Sequence, residues 1–213
     1  MTNEENLPPE LVMHRTADGG VDRAAADAAV RFAERAWTEG GADVAYATVD
    51  SPFGPLLVAM TRRGLGRLAY PTETPDRVLE DLSARLSPRM VESRVATDEV
   101  RRELDEYFDG RLRRFGVRVD LSLVRGFTLA ILEATSRIPF GSVSTYREVA
   151  TKAGNAAAVR AAGNALGSNP IPIVVPCHRV LRTGGGLGGY TGGLERKVEL
   201  LRLEGVDPGA LWR

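Results

Sequence analysis

The chain has one cysteine, Cys177, and two histidines, His14 and His178, among 213 residues. One thiol excludes an internal disulfide framework, and so few soft ligands exclude a cysteine-rich zinc cluster. No run approaches the roughly 18 uninterrupted apolar residues of a membrane span. The opening stretch, MTNEENLPPELV, is acidic and polar, with neither the basic start nor the apolar core of a secretory signal. These absences point to a cytoplasmic protein with a reduced thiol, no metal and no membrane contact. Lysine is scarce as well: Lys152 and Lys197 are the only two, and all other basic charge is arginine. What is present is ordinary for a globular protein, with 43% apolar and 26% charged residues. A chain of this length can bury a proper core in one or two domains.

Net charge is zero but unevenly spread. From Leu121 to Arg213 there are eleven Lys/Arg against six Asp/Glu, leaving seventeen basic and twenty-two acidic residues in the first 120. A basic C-terminal part beside an acidic N-terminal one suggests that the former faces a polyanion. Chance clustering of solvated charge is the plainer alternative.

Three segments follow from the pattern. Residues 1–42 form an extension: Pro8, Pro9 and the Gly19-Gly20 pair break its start, and the Ala-rich run from Asp22 to Thr38 carries Val30, Ala33 and Trp37 at helical spacing. Residues 43–120 form an N-terminal α+β domain. Strands are expected at Ala45–Val49, Leu56–Met60 and Leu65–Tyr70, joined by turns at Ser51–Pro55 and Arg63-Gly64 into an antiparallel meander. Helices over Asp76–Leu86 and Glu99–Phe108 complete it, the second closed by Asp109-Gly110.

Residues 121–213 form a mainly helical C-terminal domain. An apolar helix over Phe127–Ser136 stops at Ile138-Pro139-Phe140-Gly141. Thr145 and Glu148 have capping-box spacing for a helix through Lys152. After the turn Ala153-Gly154-Asn155, a second helix runs from Ala157 to Leu166, which outlines a helix-turn-helix. Many helix hairpins share that outline. The second helix is nearly all alanine and glycine, with Arg160 as its one long side chain. Such a helix either approaches another surface closely or packs inside with its arginine snorkelling out.

The segment Asn169-Pro170-Ile171-Pro172-Ile173-Val174-Val175-Pro176 then delivers Cys177 and His178 at the end of an apolar run whose prolines restrict the backbone. A free cysteine is most often a small buried apolar residue. To act as a nucleophile it must be a thiolate, and a thiol with a pKa of about 8.5 needs a base or a cation beside it. His178 is the neighbour able to serve as base near neutral pH. Adjacent residues usually point in different directions, so a bridging water is as compatible as direct contact. A last helix is expected over Leu194–Glu204, with Leu194, Val198 and Leu201 as apolar positions and Gly205 as its end. Glu204 in the final turn lies where the helix dipole disfavours an acid, the position of a solvated end residue.

The motifs Ile138-Pro139-Phe140-Gly141-x-Val143-Ser144-x-Tyr146, Ala162-Gly163-Asn164-Ala165, Asn169-Pro170, Pro176-Cys177-His178-Arg179-Val180 and Gly189-Tyr190-x-Gly192-Gly193-Leu194 closely resemble those of the O6-alkylguanine-DNA alkyltransferases, also called methylated-DNA–protein-cysteine methyltransferases. The resemblance covers residues 45 to 213. It implies an α+β fold: a small N-terminal α/β (ribonuclease H-like) domain, then a mainly helical C-terminal domain with a helix-turn-helix. It implies direct-reversal DNA repair, in which a methyl or other alkyl group passes irreversibly from O6-alkylguanine, and from O4-alkylthymine, to Cys177, once per protein. It also implies a monomer that binds double-stranded DNA from the minor groove, flips the damaged nucleotide and uses no cofactor.

The same resemblance carries roles to individual residues. Cys177 matches the alkyl acceptor, His178 the base that deprotonates it through water, and Glu204 the carboxylate that supports the histidine. Asn169 matches the residue that shapes this hydrogen-bond network. Tyr146 matches a tyrosine that helps rotate the nucleotide and donates a proton as guanine leaves. Arg160 matches the arginine that fills the space of the flipped base, and Gly163 the helix that packs into the minor groove. Val180, Tyr190 and Thr191 match the base pocket, where the family often has serine at the last position.

Three departures stand out. The extension of about forty residues is additional, Leu132 replaces a common tryptophan, and the structural zinc site of some relatives cannot be built from Cys177, His14 and His178. Rival readings are a non-catalytic relative that binds alkylated DNA, a cysteine hydrolase using backbone donors from Gly184-Gly185-Gly186, and a helix-turn-helix regulator reading the major groove. The first is opposed by Cys177 itself, because such relatives replace the acceptor.

Overall fold

The computed structural model describes residues 18–207 and Gly209, with side chains from Arg23 onward. Pro8, Pro9 and His14 of the extension lie outside the described residues. Helix α1 (Asp18–Thr38) takes in Gly19 and Gly20, the pair expected to break the chain. They fall in the first turn, where few intrahelical bonds are at stake. Val30 is 55% exposed, so the inward face expected from its spacing with Ala33 and Trp37 exists only near the helix end. There Trp37 packs on the core with the Arg62 guanidinium 3.9 Å from its ring centroid.

Strands β1 (Val44–Val49), β2 (Leu56–Thr61) and β3 (Gly64–Ala69) form the expected antiparallel meander. A fourth strand, β4 (Met90–Glu92), pairs parallel with β1 and completes the order β3-β2-β1-β4. Three residues are too few to show alternation, so pattern reading passes over it. Helix α2 (Pro75–Arg85) connects β3 to β4.

The sheet is buried on both sides. Successive side chains of a strand point to opposite faces. Leu56, Val58 and Met60 of β2 therefore enter the main core, while Leu57 and Ala59 pack against Val78 and Leu82 of α2. Helix α3 (Arg94–Phe108) covers the main-core face. It starts five residues before the expected Glu99 because Ser93 caps it, its hydroxyl accepting from the Ala96 amide at 3.2 Å. Val100, Leu104 and Tyr107 recur on its inner face, each no more than 1% exposed. A fully buried leucine of this kind contributes about 1.5–3 kcal/mol.

The helical part packs on that same core. Helix α4 (Gly126–Ser136) supports α5 (Tyr146–Lys152) and α6 (Val159–Gly167). The expected capping box is complete: Thr145 Oγ1 accepts from the Glu148 amide at 3.1 Å, and Glu148 Oε2 accepts from the Thr145 amide at 2.9 Å. Strand β5 (Ser144–Thr145) pairs parallel with β6 (Val180–Leu181), which ties the start of α5 to the residues just after Cys177.

Helix α7 (Leu194–Leu203) corrects the expected apolar face. Leu194 is 49% exposed, and the buried positions are Lys197, Leu200 and Leu201. Among the described residues no helix is long and apolar enough to cross a membrane.

Candidate active site

Cys177 opens a single 3-10 turn (Cys177–Arg179) and is 4% exposed. The segment feeding it is strained: Ile173 has φ of 72°, a left-handed conformation that a β-branched residue rarely adopts. Asn169, buried and just beyond α6, holds this segment together. Its Oδ1 accepts from the Ile171 amide at 3.0 Å, and its Nδ2 donates to Val175 O at 2.8 Å and to Cys177 Sγ at 3.2 Å. The sheet braces the same segment, since the Leu68 amide of β3 donates to Pro170 O at 2.9 Å.

His178 and Glu204 are brought together at 2.8 Å, from His178 Nε2 to Glu204 Oε1. The expected solvated end residue is instead 4% exposed, at the C-cap of α7. Donors from three other places outweigh the unfavourable dipole there. Arg179 clamps the carboxylate from Nε to Oε2 and from Nη2 to Oε1, both at 2.8 Å. Tyr107 OH donates to Oε1 at 2.7 Å, and the Gly141 amide donates to Oε2 at 3.3 Å. Burial alone would raise the Glu204 pKa, but the hydrogen bonds from His178 and Arg179 bring it down to about 2. An ionised carboxylate only accepts, so Nε2 carries the imidazole proton and Nδ1 keeps its lone pair. Nδ1 is buried with no hydrogen-bond partner among the described residues. Burial pulls the His178 pKa below its ordinary value, against the opposing pull of Glu204. The imidazole is therefore neutral and able to accept a proton.

Burial pushes the Cys177 thiol up to about 11, while the Asn169 amide and the charge of Lys197 act in the other direction. The resting group is thus a thiol that needs a base. It lies on the wall of a cavity of about 600 Å³. Arg160, Gly163 and Leu166 of α6 line one side, Tyr146 another, and Gly188 to Thr191 a third. Arg160 is exposed, as both alternatives for this helix allow. Gly163 leaves room, as an added Cβ would lie 3.8 Å from the Tyr146 ring. Tyr146 OH donates to Gly189 O at 3.4 Å, and burial raises its pKa, so the phenol keeps its proton. Thr191 is exposed, with Oγ1 donating to Gly167 O at 2.9 Å. Val180 is fully buried and is not among the residues lining this cavity.

Four supporting residues escape sequence reading. Tyr107 and Tyr70 come from the N-terminal unit; Tyr70 OH lies 2.8 Å from Tyr190 OH, and the Tyr190 ring meets His178 edge-on with centroids 6.4 Å apart. Arg179 was visible only as a member of the Pro176-Cys177-His178-Arg179-Val180 motif. Lys197 is fully buried, its Nζ donating to Val180 O at 2.6 Å, Leu187 O at 2.5 Å and Gly189 O at 3.3 Å. Burial lowers its pKa to about 8, with Cys177 opposing. Its being one of only two lysines in an arginine-rich chain was the one available signal, because a compact ammonium can point at several carbonyls where a planar guanidinium cannot. No group of three or more His, Cys, Asp or Glu suited to a metal occurs among the described residues.

Two family profiles match the chain: 6-O-methylguanine DNA methyltransferase, ribonuclease-like domain, over residues 44–121, and the DNA binding domain of the same family over residues 126–206. A methylated-DNA–protein-cysteine methyltransferase of Methanosarcina acetivorans is 38% identical over 165 residues, spanning 75% of this chain and 97% of the relative. One from Mycobacterium tuberculosis is 39% identical over 161 residues, spanning 75% and 91%. The crystal structure of Mycobacterium tuberculosis OGT in complex with DNA superposes with a TM-score of 0.65 at 36% identity, over 79% of this chain and 99% of that one. The chain belongs to the 6-O-methylguanine DNA methyltransferase family.

Proposed function

We propose that the chain repairs DNA by direct reversal, moving a methyl or other alkyl group from O6 of guanine, and from O4 of thymine, onto Cys177. The observation that carries this reading is the buried Cys177 thiol on the wall of a cavity bordered by the small-residue helix α6, beside a neutral His178 backed by an anionic Glu204. The units 43–120 and 121–213 divide the work: the first braces the site and the second carries it.

In this reading α6 enters the minor groove, with Gly163 allowing close approach and Arg160 filling the space of the flipped nucleotide. Tyr146 helps to rotate that nucleotide, and Tyr190 and Thr191 shape the base pocket, with Val180 buried behind its wall. His178 Nδ1 takes the Cys177 proton through a water molecule, and Glu204 stabilises the resulting imidazolium. Sγ attacks the alkyl carbon, the S–C bond forms as the C–O6 bond breaks, and the bonding pair leaves with the base. Tyr146 supplies the proton that neutralises it. A thioether is stable, and no group near Cys177 reverses the step, so each chain acts once and needs no cofactor. The protein acts as a cytoplasmic monomer.

The hydrolase reading loses its donors. The Gly185 amide is engaged with Arg182 O at 3.0 Å, and Gly184 to Gly186 do not line the Cys177 cavity. Intact-mass measurement after incubation with O6-methylguanine duplex tests the proposal. One added methyl per chain on Cys177, absent in Cys177→Ala, is expected. More than one methyl per chain, or a methyl elsewhere, overturns it.

A further inference from the structure

We propose that Tyr107, contributed by the N-terminal unit, is a positioning residue that holds down the proton affinity of His178 by occupying part of the Glu204 carboxylate. The inference rests on the reading of Cys177, His178 and Glu204 as a proton relay. Glu204 Oε1 accepts from His178 Nε2, Tyr107 OH and Arg179 Nη2, at 2.8, 2.7 and 2.8 Å. Oε2 accepts from Arg179 Nε and the Gly141 amide. Five donors saturate a carboxylate that offers about four lone-pair sites.

That crowding has a chemical effect. A carboxylate beside an imidazole favours the imidazolium. Were His178 the only partner of Glu204, the full pull of the carboxylate would fall on the ring and its proton affinity would be higher. Each further donor on Oε1 withdraws electron density from the oxygen that His178 uses. Arg179 does this with a full charge. Tyr107 does it with a neutral hydroxyl, so its influence can be removed without changing the charge of the site.

The Tyr107 hydroxyl is aimed by packing. The residue is 1% exposed, and its ring is enclosed by Phe108, Phe115 and Phe140 at centroid distances of 5.5, 5.2 and 6.2 Å. The other polar or titratable groups facing the pair are Arg179 and Cys177 on the turn, Lys197 on α7, Tyr190 in the loop before it, and the Gly141 amide. None of these comes from the N-terminal unit. Tyr107 is therefore the direct link through which the packing of α3 reaches the base.

The test is Tyr107→Phe. With two histidines in the chain, 15N NMR titration resolves the His178 ring against His14 as an internal reference. The His178 pKa is expected to rise by about half a unit to one unit, the effect of losing one hydrogen bond to the carboxylate. The acid limb of the single-turnover transfer rate should move to higher pH by the same amount. In a Glu204→Gln background the Tyr107→Phe change should move the His178 titration little. A His178 titration unmoved by Tyr107→Phe, or moved equally in the Glu204→Gln background, overturns the proposal, and a merely structural tyrosine gives the first of these. Should Tyr107→Phe fail to fold, 3-fluorotyrosine placed at position 107 alone, a stronger donor below its own pKa, should lower the His178 pKa; no change overturns the proposal. A ring titration that moves while the acid limb stays supports the Tyr107 coupling and overturns instead the assignment of His178 as the base.

Discussion

Asn169 and Cys177 are joined through one amide group whose two protons have different tasks. One goes to Val175 O at 2.8 Å and fixes the segment; the other goes to Cys177 Sγ at 3.2 Å. The geometry that positions the thiol therefore also stabilises its anion.

Removing that amide should weaken the nucleophile. In Asn169→Ala the thiol pKa should rise above its value of about 11. A hydrogen bond to a charged group contributes about 1.5–3 kcal/mol, so transfer should slow by about 10- to 100-fold. Asn169→Asp should do worse, because a carboxylate donates nothing and repels the thiolate. Single-turnover rates, together with iodoacetamide alkylation followed against pH, check both outcomes.

Acid should unfold the protein in two stages. The folded pKa of His178 lies below its ordinary 6.5, so the unfolded chain binds this proton more readily and stability falls as pH drops below about 6.5. Glu204, lowered from 4.5 to about 2, adds stability above pH 4.5 that is lost as pH falls toward 2, on the order of 3 kcal/mol. Denaturant midpoints measured from pH 7.5 to 3 should show both. Glu204→Gln should flatten the lower stage while reducing stability at pH 7, because buried Arg179 loses its counter-ion.

Gly188 has φ of 68°, and an added Cβ would lie 2.7 Å from Cε2 of Tyr146. Gly188→Ala should displace the Tyr146 ring and lower the transfer rate at least tenfold. Gly189→Ala, with nothing within 4 Å of its added Cβ, should leave the Tyr146 ring in place and cost less than Gly188→Ala. Stopped-flow transfer rates on one lesion duplex compare the two.

Helix α6 offers a test of DNA approach. Gly163→Ala meets ordinary contacts and gains up to about 1 kcal/mol of helix propensity, so thermal stability should hold or rise. On the proposed approach through α6, DNA affinity should nevertheless fall, because a methyl on that helix would keep the groove away. Arg160→Ala should slow repair of flipped lesions with little change in sequence preference. A loss confined to particular flanking sequences would favour major-groove reading instead.

Local chemistry made much of the molecule legible in advance. Thr145 and Glu148 announced a capping box three residues apart, the three meander strands stood out as short apolar runs between turns, and Cys177 beside His178 marked the site. Long-range pairing was not legible. Tyr107 meets Glu204 across 97 positions, and its spacing with Val100 and Leu104 reads only as a core face. Glu204 looked solvated because a helix end seldom buries an acid, and nothing local reveals the Arg179 clamp. Nothing local marks Lys197 for burial, because its three carbonyl partners lie outside its own helix. The left-handed Ile173 is likewise a product of tertiary packing, against the preference of its own side chain.

The burial of Cys177 bears on how long an unused molecule stays fit for service. A thiol that is 4% exposed and protonated at neutral pH is a poor target for peroxide, disulfide exchange or free alkylating agents, all of which prefer an accessible thiolate. For a catalyst that turns over, such side reactions would be a nuisance. For a chain with one cysteine and one use, each would be terminal. The sluggishness of the resting sulfur is in this sense a form of storage, which in the proposed function ends when an extrahelical base enters the cavity and His178 takes the proton.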